Sequence, residues 1–298
     1  MNNLNIVKSA SCFLCGSINN KRIRQVQCGE KISYYFKCEN CGLIFIYPKF
    51  SSEDVKKLYS VSLSDKPHMK RVFISDVINS VPRVSLIKYL GFNFQNKNCL
   101  DVGCATGGLL YLIQNKGAEC YGIEPFKPFS TFTSKKIKGK SRIYNGFFED
   151  FESNVKFDLI TMFGVFQYFE EPELVLEKIK QMLNKNKKNC LIIGGVPNPI
   201  NFENKKTPSK TYRSFLYNKS SLLKLLGKNG FEIKAIYYSK SDVNPDELLN
   251  KFNILSVLLK NTYSYFFNLN NIWNEEFKIV EDQNKEDIEY ITIICTVK

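Results

Sequence analysis

The sequence predicts an α/β protein: a doubly wound, mostly parallel sheet of seven strands, preceded by a small cysteine-rich module. Two observations carry this reading. From residue 98 onward, short apolar runs alternate with stretches of helical periodicity, as strands do with crossover helices. Before residue 50 stand two matched knuckles, Cys12-Phe-Leu-Cys15-Gly16 and Cys38-Glu-Asn-Cys41-Gly42.

Two such pairs, 22 residues apart, can give four thiolates to one tetrahedral zinc ion, and the glycine after each lets the backbone turn tightly. Lys31–Lys37 and Leu43–Tyr47 read as strands into and out of the second knuckle. Residues 1–50 are therefore expected to be a zinc ribbon with Cys12, Cys15, Cys38 and Cys41 as ligands. Four thiolates leave no open coordination position, so the metal is structural. Disulfides would need an oxidising compartment, and a redox motif needs one pair rather than two. Cys28, Cys99, Cys104, Cys120, Cys190 and Cys295 sit mostly in apolar runs and read as small buried hydrophobes.

Residues 51–84 read as a helical linker or lid. Ser51 or Ser52 caps a short helix, residues 60–67 form a linker, and Met69–Leu90 gives one or two helices interrupted at Pro82. Residues 85–298 form the principal domain. Its strands are Asn98–Val102, Glu119–Glu124, Arg142–Tyr144, Phe157–Phe163, Asn189–Val196, Phe231–Ser239 and Glu289–Val297. Helices are expected at Gly107–Asn115, Phe129–Lys138, Pro172–Leu183 and Lys219–Gly227. Residues 242–275 interrupt the last strand pair. Leu248, Phe252, Leu255, Leu259 and Phe266 recur near helical spacing there, predicting an amphipathic helix on its own sheet, with a homodimer contact or substrate lid as the alternative.

Composition sets the outer limits. The chain has 298 residues, 44% hydrophobic and 24% charged, which excludes a disordered or fibrous protein. The N-terminus has no apolar leader and no run reaches the length of a membrane span, so a cytoplasmic protein is expected. The formal charge of +13 could attract nucleic acid or anionic substrates. The lysines are scattered, however, as a Lys/Asn bias would leave them, and nucleic acid is the less expected partner.

The chemically informative stretch is Leu100-Asp-Val-Gly-Cys-Ala-Thr-Gly-Gly108. A strand ends at Asp101 and a glycine turn opens a helix. Gly103 permits the turn and close ligand approach, and Gly107 lets the helix pack near the ligand. Glu124 closes the next strand 21 residues after Gly103, where an acid can accept both ribose hydroxyls of a nucleoside. NAD and S-adenosylmethionine both satisfy that pattern. Asp-Val-Gly-Cys-Ala-Thr-Gly followed by Gly-Ile-Glu-Pro, then Phe157–Phe163, the helix from Glu173 to Leu183 and Ile192–Asn198, resembles class I S-adenosylmethionine-dependent methyltransferases over residues 85–240 and the last strand. The ribbon resembles the zinc-binding segment preceding such domains in sugar C-methyltransferases and other bacterial glycan-cluster methyltransferases, which carry a further C-terminal domain for which this chain is too short.

The resemblance implies a Rossmann-like methyltransferase sheet and a set of roles. Asp101, Gly103, Cys104 and Gly107 would cradle the methionine moiety, Glu124 would hold the ribose, Phe148 and Glu149 would border the adenine, and Phe163 and Gly164 would line the methyl-transfer face. Relatives commonly carry His-x-x-Glu-His after the fourth strand; here the stretch is Gly164-Val-Phe-Gln167-Tyr168-Phe-Glu-Glu-Pro172, without either histidine. The candidates for acceptor chemistry become Tyr168, Gln167 and the chain's single histidine, His68. The expected acceptor is a sugar or surface-glycan precursor. An RNA base is the alternative, though no Asn/Asp-Pro-Pro-Tyr/Phe motif stands at 163–172. A non-catalytic cofactor-binding protein is the further alternative.

Overall fold

The computed structural model describes residues 10–28, 31–50, 53, 69–138, 142–185, 189–204, 212–239 and 290–297. The helix expected after Ser51, the linker with His68, and the amphipathic segment 242–275 with its dimer contact lie outside the described residues.

Seven strands form the main sheet: β4 (Asn98–Val102), β5 (Glu119–Ile123), β6 (Arg142–Tyr144), β7 (Leu159–Phe163), β8 (Cys190–Pro197), β10 (Phe231–Ser239) and β11 (Tyr290–Val297). Their order is β10-β11-β8-β7-β4-β5-β6. The pairs β4–β5, β4–β7, β5–β6 and β7–β8 are parallel, and only β11 runs against its neighbours. The chain enters at β4, runs out to β6, and returns to β7 on the other side. The order therefore reverses between β4 and β7, and ligands of such sheets bind at the strand ends beside that reversal. These strands are apolar on both faces, as a sheet covered by helices requires.

The two faces bury different layers. Cys99, Leu159, Ile192 and Ile294 pack with α1 (Met69–Tyr89) and α2 (Gly108–Gln114). Leu100, Ile160, Ile193 and Ile293 pack with α4 (Pro172–Met182) and α6 (Lys219–Lys228). A shorter helix, α3 (Lys127–Lys136), follows β5. Helix α1 is continuous through Pro82 and crosses the boundary expected at residues 84 and 85. Proline removes one hydrogen bond, but Phe73, Val81, Val84 and Ile87 are buried on both sides of it, so packing holds the helix together.

The ribbon contains β1 (Asn20–Cys28), β2 (Lys31–Cys38) and β3 (Ile44–Tyr47), antiparallel in that order. A fourth strand, β9 (Phe215–Leu216), pairs with β3. Between β8 and β9, the short helix α5 (Pro199–Asn204) brings Phe202 onto the outer ribbon face, where it joins Tyr35, Ile44, Ile46, Phe50, Tyr212 and Leu216. The inner face, with Cys12, Cys38, Phe36 and Phe45, belongs to the same apolar cluster as α4 and α6.

One contact fixes the turn after β4. Asp76 of α1 accepts hydrogen bonds through Oδ2 from the Gly108 amide at 2.8 Å and the Thr106 hydroxyl at 2.9 Å. Gly108 makes this approach possible: a Cβ there would stand 2.4 Å from the Asp76 backbone carbon. Hydrogen bonds to a charged group contribute about 1.5–3 kcal/mol. Asp76→Ala is expected to cost that much in urea unfolding with an unchanged slope. Lys70→Ala, exposed on the same helix, should change stability by less than about 0.5 kcal/mol.

Candidate functional site

The loop from Val102 to Gly108 alternates left-handed positions. Gly103 has φ +74°, Ala105 +47° and Gly107 +83°. Ala105 is the costly one, since a side chain disfavours that region by about 1–2 kcal/mol. It is held from two sides: its amide donates to Glu124 Oε2 at 3.0 Å, and its carbonyl accepts from the Thr133 hydroxyl at 2.9 Å. Gly103 and Gly107 have close neighbours as well. A Cβ at Gly103 would meet Val165 at 2.3 Å, and one at Gly107 would meet Thr133 at 2.5 Å.

The amides of this loop are already used. Gly103 and Cys104 donate to the Ile123 carbonyl, Ala105 to Glu124, Gly107 to the Cys104 carbonyl and Gly108 to Asp76. A dinucleotide's pyrophosphate would need free amides at the α2 N-terminus. A carboxylate stands there instead, and the place favours a cationic ligand.

Three acids surround the loop. Asp101 is buried and its Oδ1 accepts from the Thr161 hydroxyl at 2.7 Å. Burial pushes its carboxyl up to about 7, against the Thr161 bond, with Asp76 adding to the rise and Arg83 opposing it. Glu124 is 2% exposed. It bridges two turns, accepting at Oε2 from Ala105 and at Oε1 from the Phe126 amide at 2.8 Å. Burial likewise pushes it up to about 7. Its carboxylate has roughly four lone-pair positions, so two remain for incoming hydroxyls. Asp76 is raised too, mainly by burial. It is densely surrounded yet keeps accessible surface, as a residue lining a recess does.

The other expected cofactor residues are placed unequally. Cys104 is buried and packs beside Gly122, so its backbone alone can face a ligand. Phe148 is 2% exposed, its ring against Phe169 in the core, and it too can offer only backbone. Glu149 is exposed, its carbonyl accepting from Lys178. Phe163 closes β7 with its ring between Gly194, where a Cβ would stand 2.3 Å away, and the Arg83 guanidinium, 4.6 Å over the ring. Gly164 has φ +71° and open space where a side chain would be.

Beyond β7, Gln167 is buried, and its Nε2 donates to the Gly164 carbonyl at 2.9 Å. That bond braces the turn. Tyr168 is half-buried, and its carbonyl accepts from the Ser214 hydroxyl at 2.9 Å. Tyr35 of the ribbon is buried, its hydroxyl bonded to the Arg213 backbone. His68 falls outside the described residues. Sequence reasoning missed Asp76, Arg83 and Thr161. Thr161 sits in an otherwise apolar strand, and the spacing of Asp76 and Arg83 from the glycine turn carries no motif. A cavity of about 320 Å³ lined by Tyr121, Arg142, Phe151 and Val155 opens near the N-terminal ends of β6 and β7, away from this site.

The four ribbon thiols also converge. Each knuckle repeats one hairpin: Gly16 donates to the Cys12 carbonyl and Gly42 to that of Cys38, with φ of +73° and +70°. The sulfurs of Cys12, Cys15, Cys38 and Cys41 all lie within 4.8 Å of one another. Cys12 and Cys41 are 3.6 Å apart, Cys15 and Cys38 3.5 Å. Tetrahedral zinc with Zn–S of ~2.3 Å sets sulfurs about 3.8 Å apart. The cluster fits a four-thiolate metal ion.

Comparison with known proteins agrees with this geometry. A family described as "Methyltransferase domain" matches residues 78–236, more than half of the chain. The peramine synthetase of Metarhizium rileyi is 29% identical over 107 residues, 33% of this chain and 4% of that protein. Its Metarhizium majus counterpart is 25% identical over 153 residues, 47% of this chain and 5% of that protein. This chain thus spans about a twentieth of those relatives. A Burkholderia thailandensis 1,6-didemethyltoxoflavin-N1-methyltransferase with bound S-adenosylhomocysteine aligns with TM-score 0.55 and 10% identity, covering 92% of this chain and 99% of that one. The Synechocystis magnesium protoporphyrin IX methyltransferase with bound S-adenosylmethionine aligns with TM-score 0.50 and 12% identity, covering 84% and 100%. At such identities the solved structures establish the fold, and the family match, which covers the glycine loop, Asp101 and Glu124, establishes the rest: the chain belongs to the methyltransferase-domain family.

Proposed function

We propose that this enzyme methylates a small-molecule acceptor, a sugar or surface-glycan precursor, in the cytoplasm. The observation that carries the reading is the half-buried Tyr168 beyond β7, whose carbonyl is held by the Ser214 hydroxyl. Tyr35, Tyr212 and Ser214 are buried, so of these hydroxyl groups the Tyr168 phenol is the one that keeps surface for an acceptor. A flat ring with a hydroxyl suits stacking on, and hydrogen bonding to, a sugar ring. The absence of a base-amine motif and the ribbon ahead of the domain point the same way.

The cofactor supplies an activated methyl group, and the chain supplies alignment and a dry site. Glu124 would accept the ribose hydroxyls. Asp101 and Asp76 would hold the ammonium of the methionine end, and Arg83, on the same helix as Asp76, would be the cation for the carboxylate of that end. Gly103, Cys104 and Gly107 offer backbone to that end, and Phe148 and Glu149 offer theirs to the adenine. Phe163 and Gly164 line the path of the methyl group. Gln167 braces that turn, while Tyr168 and His68 are the groups that would orient the acceptor or take its proton.

RNA is the second reading, favoured by the described ribbon residues, where Lys21, Arg22, Arg24, Lys31, Lys37 and Lys49 face a single acid, Glu39. A labelled-methyl assay on nucleotide-sugar pools and on total RNA separates the two. Transfer to the sugar pool with weak salt dependence supports the proposal. Transfer to a defined RNA base, falling steeply with salt, overturns it.

Glu124→Ala is expected to weaken S-adenosylhomocysteine binding by about 1.5–3 kcal/mol in calorimetry. Unchanged affinity would remove Glu124 from the ribose.

The pH dependence follows from the same acids. Asp101 and Glu124 hold their protons up to about 7 in the free protein, higher than in the unfolded chain. Their contribution to stability is complete below about pH 4 and lost as pH rises through about 7. Ligand hydroxyls and an ammonium favour the ionised carboxylates, so binding expels protons and tightens as pH rises toward 7. Calorimetry at pH 6.5 in buffers of different ionisation enthalpy should register proton release. Affinity flat from pH 5.5 to 8 would contradict this assignment.

Zinc is the metal we assign to the four thiolates. Purified protein should carry one zinc per chain, and Cys38→Ser should lose it together with ribbon structure, since ligand loss removes folding free energy. Metal analysis of the wild type settles the point.

A further inference from the structure

An unbroken series of ring contacts leads from the first cysteine knuckle to the acceptor loop. Phe13 lies inside Cys12–Cys15, and its ring is 4.5 Å from that of Phe215 in β9. Phe215 meets Tyr217 at 5.7 Å, and Tyr217 meets Phe166 of the acceptor loop at 5.5 Å. Phe166 meets Phe169 at 6.1 Å, and Phe169 meets Phe148 at 5.9 Å. Phe166, Phe215 and Tyr217 are each no more than 2% exposed. Polar ties run in parallel. Lys49, just past β3, donates to the Glu170 carbonyl and pairs with Glu171 at 3.0 Å. Asn218 donates to the Cys41 carbonyl at 3.4 Å while its Oδ1 caps α6 through the Ser221 amide.

The glycine loop is held otherwise. Its partners are Asp76, Ile123, Glu124 and Thr133, none of them from the ribbon. The hydrogen bonds of the glycine loop thus come from α1, β5 and α3, and those of the acceptor loop largely from the ribbon and the segment before β9; the two loops meet where Val165 stands against Gly103.

We infer that the cysteine-knuckle ribbon sets the position of the acceptor loop, Gly164–Glu171, through Phe13, Phe215 and Tyr217 as positioning residues, while leaving cofactor binding to the rest of the domain. Side chains packed at crystal-like density transmit a displacement to their neighbours. Moving Phe13 shifts Phe215 and Tyr217, and with them Phe166, while the glycine turn keeps its own hydrogen bonds to Asp76, Ile123, Glu124 and Thr133. The inference rests on the assignment of the acceptor side to this loop. It concerns what holds that loop in place and does not depend on which molecule is methylated.

Hydrogen exchange on the full chain tests it, with S-adenosylhomocysteine as the ligand probe. The arms are wild type before and after metal chelation, Phe13→Ala, Phe215→Leu, and Ile18→Ala, an exposed ribbon position, as control. In the chelated protein and both aromatic variants, amides in 164–171 and 214–218 should exchange about tenfold faster. Those in 98–124 should keep their rates, and S-adenosylhomocysteine affinity should stay within about twofold. Phe13→Leu, which restores an apolar side chain, should recover part of the protection, and Ile18→Ala should match wild type. Unchanged exchange at 164–171 in Phe13→Ala and Phe215→Leu overturns the inference. So does protection lost equally over 98–124 together with ligand affinity. Failure of the wild type to bind S-adenosylhomocysteine would count against the cofactor assignment alone, because the exchange comparison of 164–171 with 98–124 is made without ligand.

Discussion

The rest of the site depends on placing a carboxylate on the first turn of α2. A helix N-terminus carries partial positive charge and unpaired amides, and in many nucleotide-binding sheets that is where phosphate sits. Asp76 fills the position from a neighbouring helix and binds the Gly108 amide and the Thr106 hydroxyl. The first amide of the helix is thus satisfied within the chain. With Asp101 and Glu124 close by, the recess holds three acids that burial makes reluctant to ionise. A ligand with positive charge and hydroxyl donors relieves that cost, and one with a pyrophosphate would add to it. The glycine turn and its distant acid leave NAD and S-adenosylmethionine both open in the sequence, and the residue that favours the cationic one, Asp76, stands outside both motifs.

Much of the sheet was legible because parallel strands buried on both faces read as apolar runs and because the helices between them are periodic. Every strand expected in the main sheet is present within a residue or two, including the closing antiparallel β11. What escaped reading depends on distant pairing. Strand β1 is Asn-Lys-Arg-Ile-Arg-Gln-Val-Gln-Cys, polar enough to read as loop. It is extended because β2 supplies its hydrogen bonds along the edge of the ribbon. Strand β9 is two residues long and exists because β3 lies beside it. Pro82 suggested a break, and α1 runs through it because tertiary packing outweighs one missing hydrogen bond.

The site divides in the same way. Glu124 and Gly103 stand out in the sequence because the roles expected of them require a fixed distance. Asp76, Arg83 and Thr161 have no such constraint: Thr161 meets Asp101 across neighbouring strands, and Arg83 reaches the Phe163 ring from another helix. Among residues expected to touch the cofactor, Cys104 and Phe148 turn their side chains into the core. Their positions in the motif reflect where the backbone passes, and the side chain at each is chosen by packing. A motif position and a functional side chain are separate claims, and only the first can be read from spacing.

The ribbon changes how the missing histidines should be understood. In-line transfer from a sulfonium asks the protein chiefly for alignment, so a loop without an imidazole can still work if it holds the acceptor in place. In this chain the loop is fixed on several sides. Gln167 bonds the Gly164 carbonyl, Ser214 bonds the Tyr168 carbonyl, and Lys49 bonds the Glu170 carbonyl and pairs with Glu171. Two of those three anchors, Ser214 and Lys49, come from the ribbon or from the segment that completes its sheet. The sheet in turn closes on a strand contributed by the methyltransferase domain itself. A module joined in that way has its register fixed by the catalytic domain and returns the constraint to the acceptor side. On the inference drawn above, a four-cysteine ribbon tied together at its knuckles would give a short loop the rigidity that its own sequence lacks.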